Sequence, residues 1–366
     1  MALVDRVLLG PGPCNPYPEA TAALAAPLLG HLDPEFLRIL DETCDRLRVV
    51  WGTRNHRTLP LSGTGSIGME AAFANIVRPG DPVVVAVNGL FGERMCDVAS
   101  RYGAEVFRVD HEWGEPIDVE RVLAAHPEPV LVGAVHAETS TGVRSDIGEL
   151  GTALRARGDR TLLLADCVTS LAGIEVAVDD WNVDLAYSGT QKCIGVAPGL
   201  APFTMSERAW ERRVAKPPTW YLDLGLIGDY VGGSTGGRTY HHTAPVAMVA
   251  SLHAGLGRVL DEGLPAVFER HRIAGQRLQD GLQEMGLLLF AAEGHRLPEL
   301  TTVHVPAGVD STRVRARLLN EYGIEIGAGA GKYATTVWRI GLMGHNARLN
   351  RAELVLAALR QVLLEG

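Results

Sequence analysis

The sequence predicts an α/β protein built on an open, mostly parallel sheet, and three observations carry that expectation. Short, almost wholly apolar runs at 83–87, 130–135, 161–165 and 185–188 read as strands buried on both faces, as in a parallel sheet. Segments of helical character at 66–77, 90–102 and 147–157 alternate with them, as crossovers between parallel strands require. Polar residues follow the carboxyl ends of these runs, which is where ligands bind in open α/β sheets.

Taken in order, the stretch 1–19 is rich in proline and glycine and is expected to run extended over the surface, reaching a partner subunit. The alternating strands and helices define a large domain, 20–262. The character changes after about residue 260, where helical segments (264–285, 312–322) outweigh short strands (301–305, 336–340) and an amphipathic helix closes the chain at 351–364. This predicts a smaller α+β domain over 263–366. A chain of 366 residues can bury a core of that extent in two lobes.

Composition narrows the function. The formal net charge is −9 and there is no basic block, which argues against nucleic acid and anionic membrane surfaces as partners. No apolar stretch is long enough to span a bilayer. The beginning of the chain has no charged region followed by an apolar one, and its end carries no peroxisomal address. Five scattered cysteines without a CxxC pair read as reduced thiols, and the expected compartment is the cytoplasm.

Two residues point to chemistry. Lys192 stands in Ser188-Gly189-Thr190-Gln191-Lys192, and Asp166 lies 26 residues upstream at the end of an apolar run. A lysine that forms a Schiff base and an acid that pairs with a pyridinium nitrogen are the protein groups that pyridoxal 5'-phosphate (PLP) requires. A buried carboxylate keeps that nitrogen protonated, and the amine must be able to lose its proton. A helix N-cap and a solvated lysine would produce the same pattern.

Further constellations fall at strand ends. Ser62-Gly63-Thr64-Gly65-Ser66 precedes a helix whose free N–H groups suit a phosphate, although taken by itself the segment reads first as a simple serine-capped helix start; it matches neither the Walker loop nor GxGxxG. Phe91 could stack on a planar ring or fill the core, and a hydroxyl within His136-Ala137-Glu138-Thr139-Ser140-Thr141-Gly142 could bond the ring's phenolic oxygen or cap a helix. Arg339, in an apolar strand-like run, suits either a substrate carboxylate or a structural ion pair. The adjacent His241 and His242 do not have metal-ligand spacing, and no metal is expected.

Seven motifs occur in one order: SGTGS at 62–66, NGLFGERM at 88–95, HAETSTGV at 136–143, ADCVTSLAG at 165–173, YSGTQK at 187–192, TYHHT at 239–243 and RIGLMG at 339–344. Together they resemble the class V aminotransferases of PLP fold type I, most closely the alanine–glyoxylate and serine–pyruvate aminotransferases, over nearly the whole chain. The resemblance implies a seven-stranded, mostly parallel sheet between helices in a large PLP-binding domain. It implies that Lys192 carries the Schiff base and moves the substrate proton, and that Asp166 pairs with the ring nitrogen. Val168 and Phe91 would cover the two ring faces, the latter where the family often has Trp or Tyr. Thr64, Gly65, Ser66 and Gln191 would hold the phosphate, Ser140 would bond near the ring oxygen, and Arg339 would bind the substrate carboxylate. Tyr240 and Thr243 would reach the phosphate of a neighbouring subunit, which makes a homodimer with shared sites. The expected substrates are a small amino acid, alanine or serine, and a 2-oxo acid, glyoxylate or pyruvate.

The nearest rival is a ureidoglycine–glyoxylate aminotransferase, which the chain resembles around residues 32–36 and at Trp113-Gly114. That family tends to place Gln at the position of His31 and Asn at that of Tyr240. A cysteine desulfurase would need a nucleophilic cysteine after Cys193, and none follows. A dehydrogenase would need a glycine fingerprint that is missing, and a decayed, non-enzymatic binding module would have lost Lys192, Asp166 or Arg339.

Overall fold

The computed structural model describes residues 4–158, 160–232 and 237–365. Residues 1–3 and 366, which bear on the targeting expectations, lie outside that range. A seven-stranded sheet forms the centre, from β1 (Arg57–Ser62), β2 (Pro82–Val87), β3 (Glu105–Asp110), β4 (Leu131–Val135), β5 (Leu162–Asp166), β6 (Leu185–Tyr187) and β7 (Leu200–Met205), in the spatial order β1-β7-β6-β5-β4-β2-β3. All neighbouring pairs are parallel except those made by β7, which runs antiparallel to β1 and β6. The chain is thus α/β with a mostly parallel sheet, as expected.

Strands β2, β4, β5 and β6 are the four predicted runs. Their Val, Leu and Ala side chains are buried on both faces, with helices packed above and below. Strands β1, β3 and β7 are not among those runs, for two reasons. Strand β3 (EVFRVD) is an edge whose polar residues face water, and β7 carries Pro202, which sits directly opposite Pro60 of β1. Proline inside a run argues against a central strand, and here two prolines share one position of the ladder.

Register places the chemistry. Val135 of β4, Asp166 of β5 and Tyr187 of β6 lie side by side at the carboxyl ends of their strands. Helix Gly65–Ile76 starts at the same edge and lies close against β6, because a Cβ on Gly68 would fall 2.5 Å from the Tyr187 Cβ.

The C-terminal part has its own core. Leu300–His304, Val337–Gly341 and Gly327–Ala328 form an antiparallel sheet, covered by helices Leu264–Glu284, Ser311–Tyr322 and Leu349–Leu364 around Leu278, Leu282, Val303, Trp338 and Leu359.

The N-terminal stretch departs from expectation. It does not lie over the surface: Leu9, Cys14 and Tyr17 are buried. Val7–Leu8 pairs in parallel with Ile324–Glu325, and Gly341 donates its N–H to Leu9 at 2.8 Å. Further along, the N–H groups of Cys14 and Tyr17 reach the carbonyls of Gln191 and Gly195 at 3.0 and 2.8 Å. Buried backbone groups need partners, and the apolar Val7 and Leu9 find a core, so the strap threads between the two parts of the molecule.

Candidate active site

Asp166 ends β5 and is buried. Its Oδ1 accepts the Val168 N–H at 2.9 Å and its Oδ2 accepts the Tyr187 hydroxyl at 2.7 Å. Burial pushes its carboxyl up to about 6, against the pull of those two bonds and of Lys192. The carboxyl is therefore fixed in place by two donors.

Lys192 follows β6 by a short turn. The chain contains three lysines, and Lys216 and Lys332 are exposed, whereas Lys192 is 7 % exposed. Burial lowers its amine to about 8, and the positive charge of Arg339 adds to the shift. Such an amine reaches its neutral, nucleophilic form far more readily than a solvated lysine does. Its Nζ donates to the Pro11 carbonyl of the strap. Gly12, at φ +106°, allows this approach: a Cβ there would lie 2.6 Å from Lys192 Cδ and 2.8 Å from Nζ.

The helix Gly65–Ile76 presents its N-terminus beside these groups. Its cap, Thr64, makes no side-chain cap bond, and both Thr64 and Ser66 are exposed, so the first N–H groups and two hydroxyls face outward. Gly65 packs on Val168, whose Cγ2 would be 2.8 Å from a Cβ at that position. Gln191 Oε1 is buried and has no hydrogen-bond partner. A helix start, two hydroxyls and a close glycine make a fitting receptor for a phosphate-bearing group beside Lys192 and Asp166, one that Gln191 could serve only through its amide N–H2.

Phe91 is partly buried, with the Arg94 guanidinium 4.8 Å above its ring. Ser140 Oγ bonds Glu138 Oε1 at 2.6 Å and accepts the Leu90 N–H at 3.0 Å. Arg339 leans in from Val337–Gly341; its Nε and Nη1 donate to the Ala328 and Thr139 carbonyls at 2.7 and 3.2 Å. It has no ion pair among the described residues, although Glu138 is near enough to oppose the lowering of its pKa by burial. Of the two readings open for this arginine, a receptor for an incoming carboxylate fits that surrounding better.

Tyr240 and Thr243 stand apart from this cluster. Both are exposed, their hydroxyls meet at 3.4 Å, and the Tyr240 ring lies 5.3 Å from that of His31. The segment stays close to the helix start through His242, whose Nε2 meets Ser62 Oγ at 2.8 Å. Three groups received no role from the sequence: Tyr187, which holds Asp166; Glu138, which holds Ser140; and the Pro11-Gly12 turn. Tyr187 and Glu138 stand within recognised motifs and Pro11-Gly12 does not, and only tertiary contact shows what each touches.

A buried lysine and a fixed carboxyl thus stand at the carboxyl edge of the sheet beside a helix N-terminus, where open α/β sheets bind their ligands. Comparison with known proteins makes this specific. The model of the family described as Aminotransferase class-V matches residues 15–348, and the chain belongs to that family. It is 38% identical to the alanine–glyoxylate aminotransferase of Drosophila melanogaster, over 98% of this chain and 92% of that one. It is 37% identical to the (S)-ureidoglycine–glyoxylate transaminase of Bacillus subtilis, over 98% and 91%. The crystal structure of an alanine–glyoxylate aminotransferase from Nostoc sp. superposes with a TM-score of 0.95 at 46% identity, covering 99% of this chain and 96% of the other. The protein is an aminotransferase.

Proposed function

We propose that this enzyme binds PLP at Lys192 and moves an amino group from a small L-amino acid, alanine or serine, to a 2-oxo acid, glyoxylate or pyruvate. The observation that carries the reading is the environment of Lys192: the one buried lysine, its amine lowered to about 8, in the field of a fixed Asp166. The names of the relatives from Drosophila melanogaster and Nostoc sp. support the choice of donor and acceptor.

When bound, PLP supplies an aldehyde that captures amines and a ring that accepts the electron pair released at the substrate Cα. The protein's part is positional and acid–base. Asp166, anchored by Tyr187 and the Val168 N–H, holds a proton on the ring nitrogen. Lys192 would hold the cofactor as a Schiff base and, as a free amine, would be the base that takes the substrate Cα proton and passes it to C4′ of the cofactor. Arg339 holds the substrate carboxylate with its planar fork. Thr64, Gly65, Ser66 and Gln191 receive the phosphate, Val168 and Phe91 cover the ring faces, and Ser140 meets the ring oxygen. The strap at Pro11-Gly12 covers Lys192 and keeps bulk water off its amine.

Within this reading, 1–19 is an N-terminal segment, 20–262 the PLP-binding domain and 263–366 a small domain, a division that the separate apolar cores support. The enzyme works as a homodimer in which Tyr240 and Thr243 serve the partner's phosphate site; their exposure on a segment tied to Ser62 supports this. Light scattering that gives a monomer with full activity would refute the shared site. The reading places the enzyme in the cytoplasm, which its five free cysteines support. Among the described residues no helix is long and apolar enough to cross a membrane.

The test is the absorbance spectrum of the PLP-loaded protein as single amino acids are added. Loss of the visible band with alanine or serine, and its return with glyoxylate, is the expected result. A second donor, ureidoglycine, is favoured by the Bacillus subtilis relative. Bleaching by ureidoglycine with no response to alanine or serine would replace the first reading with the second.

A further inference from the structure

The adjacent His241 and His242 take no part in the site as described, yet they form a chain of hydrogen bonds that ends on its phosphate loop. His242 Nε2 meets Ser62 Oγ at 2.8 Å, the two Nδ1 atoms face each other at 2.7 Å, and His241 Nε2 lies 3.2 Å from the Trp220 carbonyl. His241 is buried, with the Trp220 ring stacked on it at 4.2 Å. Ser62 ends β1, and Gly63-Thr64-Gly65-Ser66 leads from it into the helix start.

Proton counting fixes the direction of every bond in this chain. A carbonyl only accepts, so His241 Nε2 carries a proton. A neutral imidazole has one N–H, so neutral His241 leaves Nδ1 bare, and the bond between the rings takes its proton from His242 Nδ1. Neutral His242 is then bare at Nε2 and accepts the Ser62 hydroxyl proton. One added proton reverses that last bond: whichever ring holds the charge, His242 Nε2 now donates to Ser62 Oγ. A second would set two N–H groups against each other across 2.7 Å, so the pair holds one charge at most.

We infer that His242 is a positioning residue for the phosphate of bound PLP: the histidine pair takes up one proton as the phosphate arrives, and its charge and its reversed bond to Ser62 hold the loop to the anion. This deepens the functional reading above and rests on it.

Charge matching favours the step. The residues assigned to the phosphate, Thr64, Gly65, Ser66 and Gln191, carry no full charge, and Arg94, whose Nη1 lies 3.4 Å from Ser66 Oγ, brings one. A phosphate monoester carries close to two negative charges at neutral pH. Around the pair nothing else supplies or opposes a proton. His242 is flanked by the rings of Tyr221 and Tyr230 at 5.1 and 6.1 Å and by apolar Leu40, Ile227 and Val249. Arg238, which pairs with Asp41, and Tyr240 act on Tyr230 and not on His242. Among the described residues no carboxylate bonds either histidine of the pair. Burial and the neighbouring His241 hold the His242 imidazole below its usual range, which keeps it neutral until an anion draws a proton in.

Calorimetry of PLP binding to the full-length protein at pH about 7, in two buffers of different ionisation enthalpy, counts the protons taken up. His242→Gln keeps an acceptor for the Ser62 hydroxyl but does not titrate. The wild type is expected to take up more protons than this variant, by a difference approaching about one, and to gain up to about tenfold in PLP affinity over it between pH about 8 and pH about 6. Pyridoxal, which has the same aldehyde and ring but no phosphate, should show no such difference. Equal proton counts with PLP, or a difference that pyridoxal shows as well, overturn the inference while binding of PLP keeps the functional reading. If His242→Gln fails to fold, the wild type decides alone: its uptake with PLP must exceed that with pyridoxal, and equal counts overturn the inference. A wild type that binds no PLP overturns the functional reading, and the role of His242 with it.

Discussion

Replacing Gly12 with alanine should leave a folded protein that has lost most of its activity. The structure gives two separate costs. The first is conformational: at φ +106° an L-residue carries a penalty of about 1–2 kcal/mol. Against a chain of this size that moves the melting temperature by only a few degrees. The second is local. The new Cβ would stand 2.6 Å from Lys192 Cδ and 2.8 Å from Cε and Nζ, whereas ordinary contact begins near 3.4 Å. The far end of a lysine is the softest of the neighbours, so the amine retreats by roughly 0.8 Å and leaves the Pro11 carbonyl. A misplacement of about 1 Å at the reacting group costs on the order of a hundredfold in rate, or about 2.7 kcal/mol of barrier. The assay is the initial rate of pyruvate formation from alanine and glyoxylate, run beside a circular-dichroism melt and a PLP titration. The expected pattern is a near-native melt and a rate about a hundredfold lower. A variant within twofold of wild type would show that the strap does not set the position of Lys192. A collapsed melt would put the whole cost in the backbone and refute the division made here.

Tyr187→Phe removes the hydroxyl that Asp166 Oδ2 accepts at 2.7 Å, leaving a buried carboxyl short of one partner. Melting should show about 1–3 kcal/mol lost, and the acid limb of the rate–pH profile should move to higher pH, because one of the bonds that hold the Asp166 carboxyl down is gone. Arg339→Lys keeps the charge but loses the fork; KM for the amino acid should rise about tenfold or more with little change in the melt. Glu299 is buried with neither carboxyl oxygen hydrogen-bonded, and burial pushes its carboxyl up to about 8. Folding favours its neutral form, so that contribution is complete below the usual carboxyl range near 4.5 and is lost as pH rises through about 8. Glu299→Met should therefore melt with wild type at pH about 5 and above it at pH about 8; a wild type whose stability does not fall across that window would show that Glu299 is solvated or paired.

The parts legible in the sequence are those where local pattern and tertiary role agree. Runs of Val and Leu at 83–87 and 161–165 are strands because only a sheet covered on both faces buries them, and the residues just past their ends had to meet at one edge. Lys192 and Asp166 stood out in the sequence because they follow such runs, and the change of period after about residue 260 coincides with a second apolar core. Strand β7 was hidden by Pro202, whose place depends on Pro60 across the sheet. The strap was misplaced because proline and glycine spacing says that a segment is irregular, not what it lies against; the partners that bury Leu9 and Cys14 are some three hundred and two hundred residues away in the chain. Glu138 escaped notice because its bonds to Ser140 and to the Phe91 N–H are set by the fold around the loop.

The central claim is that Lys192 holds the cofactor. The most direct measurement is borohydride reduction of the PLP-loaded enzyme, followed by peptide mass mapping. The chain has three lysines, so the result is unambiguous. The account predicts one pyridoxyl adduct, on the peptide containing Lys192, and none when alanine is added before the reductant. An adduct on Lys216 or Lys332, or none on a protein that nonetheless turns over alanine and glyoxylate, would contradict it.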